Sequence, residues 1–193
     1  TCGAGGFAYG MRSIGAILDL IADIRKYSKE AWILNYSNPA AIVAEATKRV
    51  FPDDKKVIHI CDMPISIMDI YTPLADGRTR HDVEPRYFGL NHFGWFTHLY
   101  DKKTGVDVLP IVKDRMLNDK NAAEELGFTG KNDDYWNFTF NHLFQMVKDF
   151  PHSLPNTYMQ YYLYPRRMVE HSDISNTRYD EVKKGREKRV FEF

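Results

Sequence analysis

Several positions along this 193-residue sequence carry side chains able to do chemistry beyond packing. Cys61-Asp62 sets an ionisable thiol beside a carboxylate, and Asn91-His92 offers an imidazole. A thiolate and an imidazole are metal donors, and a carboxylate next to them can move a proton. Gathered in one crevice, they would make a metal site with an acid beside it. Each also has a structural reading. A single cysteine at a strand end packs as a small hydrophobe, and a single histidine is often simply held by hydrogen bonds. Cys61 and His92 lack finger-type partners, so their spacing gives no support to a structural zinc site. The glycines of Thr1-Cys2-Gly3-Ala4-Gly5-Gly6 would let backbone N–H groups approach an anion. That run is not G-x-G-x-x-G, and a turn before the first helix is the expectation. Asn38-Pro39 reads as a helix N-cap followed by proline at the first helical position. Tyr158, Tyr161, Tyr162 and Tyr164 read as packing aromatics, and Arg178 as one surface arginine among many.

The elements that must position these residues follow from apolar spacing. Ile14, Ile17, Leu18, Ile21 and Ile24 mark one face of a helix over 11–27. Residues 31–35 and 56–60 read as buried strands, with a helix carried by Ile42, Val43, Ala46 and Val50 between them and stopped at Phe51-Pro52. A further helix is predicted over 63–70 and a third strand over 85–90. Strand, helix and strand at this spacing form a βαβ unit, so the sheet is expected to be parallel. Ligands of such sheets bind beyond the carboxyl ends of the strands, where 35–38, 61–62 and 91–92 all fall. The second half differs. Residues 93–100 read as a hairpin arm, 107–117 as a helix and 118–133 as a polar loop. Trp136, Phe140, Leu143, Phe144 and Val147 have helical spacing, and the charges of 179–189 suggest a solvated helix. The fold class is therefore α/β: the C-terminal half of a Rossmann-like parallel sheet, then part of a mixed α+β domain. A change of domain is expected at 91–97, giving 1–92 and 93–193.

Composition bounds the partners. There are 26 basic and 26 acidic residues, so the formal charge is zero and nothing in it favours nucleic acid or an anionic membrane surface. With 44% apolar residues the chain has an ordinary globular composition, able to bury roughly 70% of its unfolded surface. No stretch approaches the ~20 apolar residues of a membrane span. Two cysteines cannot build a disulfide framework, which favours a reducing, cytoplasmic compartment. An anionic small molecule remains compatible, since one or two placed arginines suffice to hold it.

Read together, four segments resemble one family. They are 35–41 (NYSNPAA), 61–65 (CDMPI), 89–95 (GLNHFGW) and 154–162 (LPNTYMQYY), in this order. The chain resembles glycoside hydrolase family 4, and within it the 6-phospho-α-glucosidase branch, from Cys2 to about Arg189. The resemblance implies a reaction in which NAD+ takes hydride from sugar C3 and a base removes the C2 proton. The glycosidic oxygen then leaves by elimination, water adds, and the hydride returns. A divalent metal, usually Mn2+, polarises the ketone, unlike the two-carboxylate scheme of most glycosidases. Carried over by motif, Cys61 and His92 match the metal ligands, Asp62 the general acid and Tyr158 the base. Asn38 matches a contact to a substrate hydroxyl, and Arg178 the guanidinium that holds the 6-phosphate. A phenol titrates near ~10, so a base at neutral pH needs ~3–4 kcal/mol of phenolate stabilisation. A nearby metal and the NAD+ ring would supply it.

The resemblance further implies a phosphorylated disaccharide as substrate, maltose 6'-phosphate being an example, and a homo-oligomer, dimer or tetramer. Nothing in the sequence corresponds to the family's opening strand and glycine-rich NAD fingerprint, an upstream phosphate-binding arginine or the C-terminal helices. The chain is thus expected to be a fragment, with ligand binding but no turnover as one reading of it alone. Ala4 stands where relatives often carry proline. Within the family, a 6-phospho-β-glucosidase or an α-galactosidase is the alternative, disfavoured by Asp62 and by Asn156-Thr157 before Tyr158. A dehydrogenase sharing the sheet would differ by net NADH production.

Overall fold

The computed structural model describes residues 3–128, 135–175 and 177–191, which form two compact units, Thr1–Pro64 and Ile65–Phe193.

The first unit opens with α1 (Gly3–Tyr27), followed by β1 (Ile33–Asn35), α2 (Ala40–Val50) and β2 (Val57–His59). The glycine run from Gly3 is helical, not a turn. Gly6, Gly10 and Ile21 lie on the buried face of α1. A Cβ on Gly10 would stand 2.8 Å from Ile42 Cγ2, so the small residues let α1 and α2 pack closely. Arg25, in the last turn of α1, grips Asp54 with Nε–Oδ2 at 2.5 Å and Nη2–Oδ1 at 3.1 Å, and donates to Ala31 O at 2.9 Å. That fork ties the helix to the segments before β1 and β2. The two strands pair in parallel, Ile33 with Val57, Leu34 with Ile58 and Asn35 with His59, with α2 as the crossover.

The cap reading of Asn38 needs correction. The N-cap of α2 is Pro39, joined to Asn38 by a cis peptide bond, and no side chain caps the helix there. Asn38 thus stands one residue outside the cap, with its side chain exposed.

The second unit carries most of the core. Elements α3 (Met63–Tyr71), β3 (Val83–Leu90) and β4 (Phe93–Asp101) are followed by α4 (Leu109–Asn118) and the short α5 (Ala122–Glu125). Next come α6 (Tyr135–Met146), β5 (Leu154–Pro155), α7 (Gln160–Leu163), α8 (Pro165–Glu170) and α9 (Arg178–Phe191). Strand 83–90 does not extend the parallel pair of the first unit. It runs antiparallel to β4 from Val83–Asp101 to Leu90–Phe93, and β4 pairs with β5 on its other side. The cause is local: only Asn91 and His92 join the strands, and His92 takes φ 64°. Two residues can close an antiparallel hairpin, whereas a parallel connection needs a dozen or more. The hairpin arm expected over 93–100 is thus β4.

Around it, Phe96, Leu99, Val112, Phe140, Leu143, Met146, Leu154 and Met159 are buried, Phe140 and Leu143 through the spacing read from sequence. Tyr71 stacks obliquely on Phe140 and Phe144 at 6.0 and 5.7 Å. Asp107 Oδ1 accepts from Leu99 N and Leu109 N, joining β4 to the start of α4. Among the described residues, no helix is long and apolar enough to cross a membrane.

Candidate active site

In the first unit, the site residues stand where both parallel strands end. Asn35 is buried and uses both ends of its carboxamide. Its Oδ1 accepts from Ser37 N at 3.2 Å and Ser37 Oγ at 2.7 Å, while Nδ2 pairs with His59 Nδ1 at 2.8 Å. The side-chain turn fixes the course of the chain to Asn38, and the histidine contact locks the last rung of the sheet. Burial pushes the His59 imidazole below its ordinary value, favouring the neutral ring that this contact needs. Beyond β2, Cys61 is half-buried and Asp62 exposed. The Tyr36 phenol lies beside Asp62, whose carboxylate pushes it above its ordinary pKa. Residues 36–38 and 61–62, separate in sequence, are thus brought to one end of one sheet, as the strand-end rule predicts.

In the second unit, His92 sits at the hairpin tip and is only 7% exposed. Its ring lies 4.1 Å from that of Tyr158, at 30° between planes. Burial lowers the His92 pKa, so the neutral imidazole that a metal accepts is the favoured form. Tyr158 lies in a 3-10 turn, Thr157–Met159, capped by Asn156, whose Oδ1 accepts from Tyr158 N at 2.9 Å. Tyr161 stacks next to Tyr158 at 6.1 Å, and Tyr162 meets Phe93 edge-on at 5.4 Å. The tyrosine cluster therefore packs, as its first reading held, while one member also faces an imidazole. The side chain of Arg178 lies outside the described residues.

The donor chemistry fits a divalent cation. The Cys61 thiol and the His92 imidazole, which lie in different units, are each of a donor type that a divalent cation accepts. No cluster of three or more His, Cys, Asp or Glu that could hold a metal occurs among the described residues. Sequence reading put Asn35 and Tyr36 at a strand end and Asn156 in a motif but gave none of them a contact, and it gave His59 no role, because hydrogen-bond partners are not written in a sequence.

Two family models match the chain: family 4 glycosyl hydrolase over residues 1–75, and the family 4 glycosyl hydrolase C-terminal domain over residues 87–193. Phospho-alpha-glucosidase PagL of Clostridium acetobutylicum is 56% identical over 192 residues, covering 100% of this chain and 42% of that protein. A Bacillus subtilis protein named "Probable 6-phospho-beta-glucosidase" is 34% identical, over 100% of this chain and 41% of that one. Among solved structures, a 6-phospho-alpha-glucosidase from gut microorganisms, in complex with NAD and Mn2+, superposes with a TM-score of 0.85. It is 49% identical, and the match covers 100% of this chain and 43% of that one. The chain spans about two fifths of the length of the curated relatives it matches. With its C-terminal model alone taking in more than half of the sequence, this chain belongs to glycosyl hydrolase family 4.

Proposed function

We propose that the protein carrying this chain hydrolyses 6-phospho-α-glucosides, maltose 6'-phosphate among them, with NAD and a divalent metal, Mn2+, as cofactors. The observation that carries this reading is the stack of Tyr158 on buried His92, the residues to which the reading gives the roles of base and metal ligand. Identity of 56% to a phospho-α-glucosidase, against 34% to a β-type relative, supports the α branch. The relative solved with NAD and Mn2+ supports the cofactors.

The chemistry that these groups supply when bound is hydride acceptance and Lewis-acid polarisation. Cys61, as thiolate, and His92, as neutral imidazole, would hold the metal. Tyr158 takes the proton from sugar C2. Asp62 gives a proton to the departing glycosidic oxygen, and the Tyr36 hydroxyl then hydrogen-bonds to the carboxylate left behind. Asn38 contacts a sugar hydroxyl, its exposed side chain unused by the cap. Arg178 holds the 6-phosphate, a task suited to the guanidinium fork. A cytoplasmic location and assembly into a homo-oligomer belong to the same reading, and balanced charge supports the absence of a nucleic-acid or membrane partner.

The test is an assay with 4-nitrophenyl α- and β-glucoside 6-phosphates in the presence of NAD+ and Mn2+. The α substrate should be hydrolysed with no net rise in absorbance at 340 nm. Hydrolysis of the β substrate alone would overturn the branch, and stoichiometric NADH would overturn the glycosidase reading in favour of a dehydrogenase.

A further inference from the structure

Asn156 is 1% exposed, and every polar group it owns is engaged. Besides accepting from Tyr158 N, its side chain donates from Nδ2 to Tyr87 Oη at 3.1 Å. Its backbone N–H donates to Gly94 O at 2.8 Å, and its carbonyl accepts from Met159 N at 3.0 Å. Tyr87 and Gly94 belong to β3 and β4, whose joining turn carries His92. Their contact is close: a Cβ on Gly94 would stand 2.4 Å from Tyr87 Oη. Tyr87 is held in turn by Phe96, with ring centroids 4.7 Å apart.

We infer that Asn156 is a positioning residue for Tyr158, tying the turn that bears the phenol to the hairpin that bears His92. This rests on the role proposed above for Tyr158. Capping alone asks only for an acceptor, which serine, threonine or aspartate also provides. The second end of the carboxamide, spent on Tyr87, does something that a cap does not require. It fixes the turn against the strands, so that the Tyr158 ring and the His92 ring share one frame. A base must lie within hydrogen-bond reach of its proton, and a misplacement of ~1 Å costs about 100-fold in rate.

The experiment measures deuterium entering C2 of the sugar in D2O, with 4-nitrophenyl α-glucoside 6-phosphate, NAD+ and Mn2+, together with kcat, KM and thermal unfolding. Tyr158→Phe serves as the reference for loss of the base. Asn156→Ala should slow C2 exchange about 100-fold with KM nearly unchanged. Tyr87→Phe, which keeps the ring and removes one hydrogen bond, should slow it about tenfold while lowering the unfolding temperature by only a few degrees, so that the protein stays folded at the assay temperature. It decides the matter if Asn156→Ala fails to fold. Exchange at the unaltered rate in Tyr87→Phe, or a loss that only tracks the unfolded fraction, overturns the inference while leaving the base assignment standing. No exchange in the unsubstituted protein, or full exchange in Tyr158→Phe, overturns the base assignment and this inference with it.

Discussion

Cys61 and Asp62 are neighbours in sequence with different surroundings, one half-buried and the other exposed beside Tyr36. A metal needs the first as a thiolate, and a serine hydroxyl does not ionise to replace it. Cys61→Ser should therefore weaken Mn2+ binding by at least the ~10–100-fold that losing a group behind a ligand costs. Titration of the metal by calorimetry or electron paramagnetic resonance checks this. Unchanged affinity would remove Cys61 from the ligand set. The candidates at this scale could be named from the motifs, because thiol, imidazole and phenol announce their chemistry by type. The supporting contacts were not legible. Asn35 with His59 and Asn156 with Tyr87 join residues far apart in sequence, and an asparagine looks the same whether it caps, bridges or faces water.

At the scale of elements, the β3–β4 hairpin is the part that admits least change. Gly94 has Tyr87 Oη and Phe88 O where a side chain would begin, the latter at 2.8 Å from a built Cβ. Backbone cannot retreat as a flexible side chain can. Gly94→Ala should thus cost about 1–3 kcal/mol through overpacking, read as a lower urea midpoint with an unchanged slope. A midpoint equal to that of the unsubstituted chain would show that the strands can part. Element types were readable from spacing, notably α6 from Trp136, Phe140, Leu143 and Phe144. The partner of 83–90 was not, since an apolar strand carries no mark of what it pairs with. The two-residue length of 91–92 held the answer. The glycine run at the start misled for a related reason: glycine signals a turn in isolation, and only packing against Ile42 shows why α1 keeps it.

Across the whole molecule, acid should act through identifiable groups of the second unit. The Arg78 guanidinium, with the Thr104 and Lys103 backbone N–H groups, holds the Asp101 carboxyl well below the usual carboxylate range. Burial holds His142 below its ordinary value, against the pull of its hydrogen bond to Gln160. Both groups bind protons more readily in the unfolded chain, so both contributions are complete at neutral pH and fall as pH falls. The histidine part should fade below about 6.5 and the aspartate part below about 3.9, their unfolded values. Urea midpoints measured from pH 8 to 3 should show two declines. His142→Gln should flatten the first, where buried His92 and, in the first unit, half-buried His59 also contribute, and Arg78→Leu the second. An unchanged profile in both variants would count against these assignments. The α/β class was legible because a crossover helix between two short apolar strands has few other solutions.

His92 turns the chain through φ 64°, a backbone region that most side chains avoid and that asparagine, aspartate and histidine tolerate best after glycine. Of those four, histidine alone brings an imidazole. The bend and, on the reading proposed above, the ion thus impose independent filters on one codon, and few replacements pass the first before meeting the second. A valine or isoleucine there would spoil the corner itself, so its effect on catalysis would say nothing about coordination. Asparagine or glycine preserves the corner and isolates the loss of the ring nitrogen, which makes them the informative exchanges at this position.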